Sequence, residues 1–382
     1  MAIFKPLSTA DHHTDTNKIT TGIFENGAGA LYSSSMATSS ISASNNAYFY
    51  TIQQSQSDGK ADGTEYFDVS YGHKTGLGSS ATDYQYATKA IYKQFANILL
   101  DDPMGSFRFP DVSGSNGDYT QPNSGTAVDD IYIISVKSAR VKNRLNRNFT
   151  LRLTGSAGLL ESFTLGAPGS GSSLYLTDWS GSVGQPGRGA PYYPIVSGTA
   201  GTPHFSSGSS GGAGQLPTYG HFYPDMNLIV LSAPMMSASL PGSASTLLSG
   251  SAAGYDSATI GPDIGLAPDT TTAGNADNAG KLAAVLKGGG HLIMRSEQDL
   301  NQTTHYCRLF HNEFNFSSNP TFLDSSSTVG DVNPNMVGNP TVYVTGVGLY
   351  NSNEDLIAVA KLNAPQKKNY GLELTIAARL DA

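Results

Sequence analysis

The alternation of apolar and polar residues near the end of the chain predicts three β-strands: Thr341–Tyr350, Leu356–Leu362 and Tyr370–Arg379. The third strand places every second residue on an apolar face: Tyr370, Leu372, Leu374 and Ile376. Such period-two alternation is the pattern of a half-buried strand. Turn residues follow each of the first two strands, and Pro365 is expected to end the second. A chain that ends on a strand needs a pairing partner for it, in its own sheet or in a neighbouring subunit.

Short apolar runs between turn residues predict strands in the earlier part of the chain as well. They are Ala47–Ile52, Tyr66–Ser70, Ile131–Lys137, Phe149–Leu153, Leu160–Leu165, Leu174–Trp179, Gly288–Arg295 and Thr303–Phe310. The run Ile131–Lys137 is apolar on both faces, which predicts a central strand. Short strands at this spacing are typical of sandwiches and barrels. The predicted fold class is therefore mainly β, with antiparallel sandwich-like or barrel-like sheets, one amphipathic helix and long Gly/Ser-rich loops.

The helix is predicted at residues 82–100, where apolar residues recur three and four positions apart. The predicted stripe consists of Tyr84, Ala87, Ile91, Phe95, Ile98 and Leu99. Ser80 or Thr82 can cap its first turn, and Pro103 prevents it from continuing. One apolar stripe on a helix predicts that it covers one face of a sheet.

Changes in composition divide the chain into four predicted segments. They are an extended N-terminal arm at 1–45, a β-rich domain at 46–180, a Gly/Ser/Pro-rich insertion at 181–287 and a C-terminal β domain at 288–382. The arm is expected to be ordered on a neighbouring subunit, with Phe4 as an anchor. The insertion has two interpretations: a partly folded segment stabilised by its neighbours, or a flexible linker.

Overall composition points to an assembled protein. Only 14% of the residues are charged, against about a quarter in ordinary soluble domains, and subunits that cover one another's surfaces need fewer charges. The net charge of −8 disfavours binding to bulk nucleic acid. The single cysteine, Cys307, cannot form a disulfide within the chain, which favours synthesis in a reducing compartment such as the cytosol. Neither a membrane span nor a signal peptide is predicted.

Four segments resemble chemical motifs, but each is incomplete. His305–His311 has the spacing H-x-C-x-x-x-H without a fourth metal ligand, and Gly274–Lys281 lacks the hydroxyl residue of a phosphate-binding loop. Gly208–Gly212 matches an esterase pattern within a Gly/Ser-rich tract. Asp58–Glu65 lacks the alternating oxygen ligands of a calcium loop. We therefore predict no catalytic residue, no metal site and no cofactor, and we expect the protein not to be an enzyme.

A basic stretch stands out in the middle of the chain: Lys137, Arg140, Lys142, Arg144, Arg147 and Arg152. No acidic residue occurs from Ile131 to Leu160. One interpretation is a solvated strand edge protected by charge, and another is a docking patch for an acidic neighbouring subunit. Contact with DNA is less favoured, because aromatic residues are not interleaved with the basic ones.

Four stretches resemble virion structural proteins of large contractile-tailed phages, such as the myoviruses of marine cyanobacteria. They are the opening MAIFKPLSTAD, the helical segment IYKQFANILL at Ile91–Leu100, the segment FHNEFNFSSNPTF at Phe310–Phe322 and the closing residues Val344–Asp381. The closing stretch contains GLYN at Gly348–Asn351 and AVAKL at Ala358–Leu362, followed by a proline and lysines. Residues 181–287 carry no such resemblance.

The resemblance implies a virion component of the tail, baseplate or neck, made in the host cytoplasm and present in many copies. Its expected partners are other phage structural proteins, including copies of itself, and neither a membrane nor nucleic acid. It carries over no catalytic residue. The alternative is a receptor- or glycan-binding fibre or decoration protein of the virion. The predicted subunit-interface residues are Phe4, Lys5, Lys137, Arg140, Lys142, Arg144, Arg147, Tyr370, Leu372 and Leu374.

Overall fold

A computed structural model describes most of the chain. The described residues are 4–24, 30–32, 36–39, 49–55, 61–78, 87–100, 102–113, 126–154, 173–181, 191–203, 215–239, 266–268, 270, 278–287, 290–324 and 331–381. The chain is mainly β and forms two compact units. Unit 1 comprises Met1–Ile19 and Asp299–Ala382, and unit 2 comprises Thr20–Gln298.

The strands are β1 His12–Gly22, β2 Ala30–Tyr32, β3 Met36–Ser39, β4 Phe49–Ser55, β5 Ala61–His73, β6 Phe107–Arg108, β7 Val112–Ser113, β8 Ala127–Val128, β9 Asp130–Val136, β10 Arg144–Leu145, β11 Thr150–Thr154, β12 Ser173–Asp178, β13 Tyr193–Thr199, β14 Thr202–Pro203, β15 Gln215–Leu216, β16 Gly220–Tyr223, β17 Leu228–Ser232, β18 His291–Ile293, β19 Arg295–Leu309, β20 Val342–Tyr350, β21 Leu356–Lys368 and β22 Leu374–Asp381. The α-helices are α1 Ala87–Leu100, α2 Ala233–Ser239 and α3 Asn278–Lys287. Short 3₁₀ turns lie at Thr9–Asp11, Ser138–Arg140, Pro224–Met226 and Pro334–Met336.

Unit 2 is built around an antiparallel sheet that curls into a half-barrel. Its order is β2-β18-β11-β12-β13-β16-β17-β9-β5-β4-β3, with β14 beside β13. Strand β9 lies between β17 and β5. Its Ile131 and Ile133 belong to the core that includes α1, whereas Tyr132 and Ile134 belong to the core on the other face. The predicted mainly β fold is confirmed, and so is the central strand with two apolar faces.

The predicted amphipathic helix is present as α1, and it covers one face of the sheet as expected. The predicted first residues of the helix lie outside the described residues. The buried side is, however, turned by about one residue, to Thr88, Tyr92, Ala96 and Leu99, while Ile98 is exposed. Tyr92 explains the rotation, because its hydroxyl donates to Val128 O at 2.7 Å and accepts from Phe107 N–H at 3.1 Å. A buried Tyr needs such partners for its hydroxyl.

The predicted insertion at 181–287 supplies strands β13, β16 and β17 to the middle of the sheet. It also supplies α2 and α3, so that α1 is not the single helix of the chain. Gly220 illustrates why composition misled the prediction. A Cβ built at Gly220 would lie 2.0 Å from Val230 O on the neighbouring strand. Glycine here permits close approach of two strands, whereas its abundance suggested a loop.

Unit 1 contains β1 up to Ile19, β19 from Asp299, strand β22 and the β20–β21 hairpin. Strand β22 pairs with β19 from Leu374↔Leu309 to Asp381↔Gln302. Part of the predicted arm is therefore a strand, because β1 also lies beside β19. The terminal strand finds its partner within its own chain.

Strands β21 and β22, the second and third of the three strands predicted near the end of the chain, differ from their predicted bounds. Strand β21 continues through Pro365 to Lys368, where it was expected to stop. The pairing register shifts there, from Val344↔Gln366 to Gly346↔Lys361. A bulge tolerates proline because the residues in it are free of the ladder. Strand β22 starts only at Leu374, because Asn369 O accepts a 3.2 Å hydrogen bond from Leu372 N–H in a turn.

Candidate functional site

The β20–β21 hairpin presents an apolar surface that stands apart from the rest of unit 1. Among the described residues it forms a sheet of its own, with two strands. Ile357 and Val359 are 63% and 68% exposed, and their spacing of two places them on one face. Gly348 lies directly opposite Val359 and offers no side chain to cover it. Apolar residues of this size are rarely exposed together without a partner.

The predicted interface residues near the end of the chain lie at the start of β22 and in the turn before it. Tyr370 and Leu372 belong to the turn and are exposed. Leu374 begins β22 and pairs with Leu309. Further along β22, Ile376 and Ala378 are buried, while Thr375 and Ala377 are exposed. The predicted alternation is thus present in the strand itself, and the interface role of the turn residues stays a prediction.

The predicted N-terminal contacts are made with the same chain. The Lys5 ammonium group donates to Arg308 O at 2.7 Å, forms an ion pair with Glu313 and lies 4.0 Å from the centre of the Phe310 ring. The Phe4 ring meets the Tyr350 ring edge to face, with 4.8 Å between centroids. These contacts order the start of the chain on unit 1. Whether Phe4 and Lys5 also contact another subunit stays a prediction.

The inner edge of β1 carries a row of polar pairs with β19. His12 Nδ1 lies 2.8 Å from His305 Nδ1, and Thr16 Oγ1 donates to Asn301 Oδ1 at 3.0 Å. Every side chain of β1 from His12 to Thr20 is exposed. Burial and the neighbouring His12 lower the pKa of His305. This strand is therefore held by hydrogen bonds rather than by a core.

At least three of the six residues of the basic stretch, Lys137, Arg144 and Arg147, are paired with acidic groups of unit 2. Lys137 Nζ lies 2.7 Å from Asp68 Oδ2, and Arg144 Nη2 lies 2.6 Å from Glu297 Oε1. Arg147 Nε lies 3.1 Å from Asp178 Oδ2. Arg140 Nε donates to Glu65 O at 3.3 Å, and its guanidinium lies over the Tyr66 ring. The acidic partners lie far away in sequence, which is why the stretch looked unbalanced.

Lys142 differs from its neighbours because its side chain is exposed. Its backbone N–H donates to Ser296 Oγ at 2.9 Å, which orients the chain without involving the ammonium group. Among the predicted basic residues, Lys142 is therefore the best placed to meet an acidic partner.

We expect Arg144→Gln to lower the free energy of unfolding of unit 2 by about 2 kcal/mol, because the buried Glu297 carboxylate loses its charged donor. Lys142→Gln should change it by less than about 0.5 kcal/mol, as exposed substitutions usually do. Urea unfolding followed by the fluorescence of Trp179, the single tryptophan, measures both. Equal effects of the two substitutions would contradict the assignment of Arg144 to an internal ion pair.

The segments that resembled chemical motifs do not form a site in the described part of the chain. There, no three His, Cys, Asp or Glu side chains are arranged to hold a metal ion. His305 faces His12, Cys307 is half-buried, and His311 Nδ1 lies 3.6 Å from Glu373 Oε1. The residues 208–212 lie outside the described residues. Residues 274–277 at the start of the segment Gly274–Lys281 also lie outside them, and so does residue 58 at the start of the segment Asp58–Glu65.

Two ionisable groups of unit 2 that the sequence analysis did not consider have strongly shifted pKa values. Burial, together with the charge of Asp129, raises the pKa of Asp130 to about 6. Burial lowers the pKa of His221 to about 3. The His221 ring lies among Tyr192, Phe109 and Tyr223, with centroid distances of 4.4, 4.8 and 6.2 Å. Burial is the main cause of both shifts, so they bear on the stability of unit 2.

A cavity of about 420 Å³ lies on unit 1. Tyr306 and Arg308 reach it from β19, and Phe310 follows that strand. Glu373 precedes β22, and Thr375 lies at its start. Arg308 Nε lies 2.9 Å from Asp11 Oδ1. The cavity thus combines aromatic rings with the guanidinium group of Arg308, the carboxylate of Glu373 and the hydroxyl groups of Tyr306 and Thr375. Its volume is within the range of small-molecule sites.

Searches of protein-family models, of curated proteins and of solved structures gave no significant match to this chain. None of the helices in the described residues has the length and apolar character needed to cross a membrane. The exposed surfaces and the cavity of the protein therefore provide the evidence on its function.

Proposed function

We propose that this protein is a structural subunit of a phage particle, assembling through contacts between subunits. The tail, baseplate or neck is the place that the sequence resemblance favours. The observation that carries the proposal is the exposed apolar face of the β20–β21 hairpin. Low overall charge and the exposed turn at Tyr370 and Leu372 support it.

The hairpin needs a partner for physical reasons. A two-stranded sheet buries little of its own surface. This one has a ladder of pairs from Val342↔Lys368 to Tyr350↔Leu356, and Phe4 packs on its Tyr350, but Ile357 and Val359 stay exposed. Beside the ridge formed by Ile357 and Val359 lie Gly346 and Gly348, which leave a shallow trough on the opposite strand. The ridge of one chain can pack into the trough of a second copy, or it can pack against a strand of another subunit. Burying it would stabilise the hairpin and the contact together.

We expect the purified chain to associate with itself, and we expect the double substitution Ile357→Thr and Val359→Thr to weaken this at least about 100-fold. Burying each side chain is worth about 1.5–3 kcal/mol, and 1.4 kcal/mol corresponds to a tenfold change in affinity. Threonine keeps the β-branched shape that strands favour. Sedimentation equilibrium over a range of concentrations measures the association.

Val337→Thr provides a matched control, because Val337 is 71% exposed but lies outside the hairpin. It should leave association unchanged. If the wild-type chain stays monomeric at every concentration, or if Val337→Thr is as disruptive as the hairpin variant, the hairpin is not the assembly surface.

A second measurement addresses the particle itself. The chain should co-purify with phage particles through a density gradient at a fixed copy number, and a density map of the particle should place the hairpin against another subunit. The receptor- or glycan-binding alternative expects the chain at an outer tip of the particle. Absence of the chain from purified particles would overturn both.

A further inference from the structure

We propose that the cavity on unit 1 binds a neutral saccharide, as the terminal sugars of a longer glycan. The proposal goes beyond the assembly role and does not depend on it. It rests on the floor of the cavity, on its aromatic sides and on its charge balance.

The floor of the cavity follows from the pairing of β19 with β22. Arg308 lies opposite Thr375, and Tyr306 lies opposite Ala377. Residues directly opposite each other in an antiparallel pair project from the same face. Two large side chains of β19 therefore stand beside two small ones of β22. This difference in size opens a space on one face of the sheet.

The aromatic sides come from Tyr306 and Phe310. They are four positions apart, which corresponds to about 13 Å along an extended chain. Phe310 is 46% exposed, and Lys5 fixes its ring from one side at 4.0 Å. An aromatic ring offers a flat apolar face, which suits the C–H face of a sugar ring. A separation of this size along the chain suits the two outer sugars of a trisaccharide, with a third sugar between them.

Arg308 and Glu373 provide the polar contacts. A guanidinium group can donate several hydrogen bonds from a planar fork, and a carboxylate accepts from several directions. Adjacent hydroxyl groups of a sugar can accept from the first and donate to the second. Neither side chain would be satisfied by an apolar ligand, because removing charged groups from water without new partners is costly.

The charge balance of the cavity favours a ligand without charge. Arg308 lies 2.9 Å from the Asp11 carboxylate, and Lys5 forms an ion pair with Glu313. The guanidinium group of Arg308 and the ammonium group of Lys5 are therefore already neutralised. A phosphate or carboxylate ligand would have to displace an existing partner to gain a charge-assisted hydrogen bond. Glu373 would repel such a ligand further.

The test uses the purified full-length chain and saturation-transfer NMR or calorimetry. The probes are maltotriose, cellotriose and mannotriose, with sialyllactose as an acidic saccharide and triglycine as a peptide. We expect at least one neutral trisaccharide to bind with a dissociation constant of about 1 mM or below. Tyr306→Ala and Phe310→Ala should each weaken this binding about tenfold or more, and Glu373→Gln should also weaken it.

Thr375→Trp provides an independent variant, since Thr375 is exposed and a large side chain there would fill the cavity without disturbing a core. It should abolish binding. Tyr343→Ala is the matched control, because Tyr343 is exposed on β20 and does not line the cavity. Unchanged binding by Thr375→Trp, preference for sialyllactose or triglycine, or absence of binding to every neutral probe would each overturn the proposal. None of these results would bear on assembly through the hairpin.

Discussion

Replacing His221 by phenylalanine should remove a large part of the acid sensitivity of unit 2. His221 lies on β16 and is buried among aromatic rings, and burial lowers its pKa to about 3. The folded protein therefore keeps the imidazole neutral at pH values where the unfolded chain, with the ordinary pKa of about 6.5, already binds a proton. The contribution to stability is complete above pH 6.5 and is lost as the pH falls towards 3.

The expected size of this effect follows from the width of that pH range. Each pKa unit corresponds to 1.36 kcal/mol, so lowering the pH from 7.5 to 4 should cost about 3 kcal/mol through His221 alone. We expect the free energy of unfolding of the wild-type chain to fall by about 3 kcal/mol more over this range than that of His221→Phe. Urea unfolding at the two pH values, followed by the fluorescence of Trp179, measures the difference.

His13→Gln is the matched control for His221→Phe. His13 is exposed on β1 and lies 3.0 Å from Asp15 Oδ1. Its substitution should leave the pH dependence of the Trp179 transition unchanged. If His221→Phe unfolds with the same pH dependence as the wild type, the acid sensitivity of unit 2 has another source, such as its carboxylates.

The mainly β fold could be predicted because apolar periodicity directly reflects burial. Ile131–Lys137 is apolar on both faces, and β9 is indeed buried on both. Strands β13, β16 and β17 were assigned to an insertion, because their flanking glycines lower the apparent β propensity of the segment. A glycine that permits close strand approach and a glycine that loosens a loop are identical in a sequence.

Details of packing depend on partners that lie far along the chain. The rotation of α1 is set by the hydrogen bonds of Tyr92 to Val128 and Phe107. Propensity and periodicity carry no information about them. Pro365 was expected to end a strand, and only the register shift in β20–β21 shows how the strand accommodates it.

The same limit applies to the candidate surfaces. Lys5 and Glu313 pair across 308 positions. Tyr306 reaches the cavity from β19, and Glu373 reaches it from the residue before β22. The local sequence identifies the residue types, but it does not show which residues contact each other in the folded chain. The exposed hairpin is a different case, since its alternation predicted the strands and the structure adds which face is left uncovered.

Asp178 illustrates a signal that the sequence did contain. It is the single acidic residue in the apolar run Leu174–Trp179, and it is fully buried at the end of β12. Its Oδ1 accepts from Asn148 N–H at 2.6 Å and from Phe149 N–H at 3.2 Å. Its Oδ2 accepts from Arg147 Nε at 3.1 Å. One carboxylate thus organises the turn before β11.

Arg147 depends on this carboxylate for its position. It also donates from Nη2 to Trp179 O at 2.5 Å, and its guanidinium lies 3.8 Å from the centre of the Tyr193 ring. Asn148 adopts a left-handed conformation with φ of 69°, which asparagine tolerates better than most residues. The backbone N–H groups of Asn148 and Phe149, which both donate to Asp178 Oδ1, stabilise this turn. Arg147 is consequently an internal structural residue of unit 2, whatever its role between subunits.

We expect Asp178→Ala to lower the free energy of unfolding of unit 2 by about 3–5 kcal/mol. Removing one partner of a buried ion pair leaves the other charge uncompensated, and here two backbone N–H groups lose their acceptor as well. Urea unfolding followed by Trp179 fluorescence measures the loss. Should the variant be too unstable to purify, Arg147→Lys is a milder change, which keeps the charge but loses the contact to Trp179 O.

Glu65→Ala is the matched control for Asp178→Ala. Glu65 lies on β5 of the same sheet, and its half-exposed carboxylate is 3.3 Å from Lys137 Nζ. Ion pairs of this kind contribute about 0–1 kcal/mol, and Lys137 retains Asp68 as a partner. The two substitutions therefore remove the same type of group from different surroundings. A loss below about 1 kcal/mol for Asp178→Ala, equal to that of Glu65→Ala, would mean that burial of this carboxylate does not govern the stability of the turn.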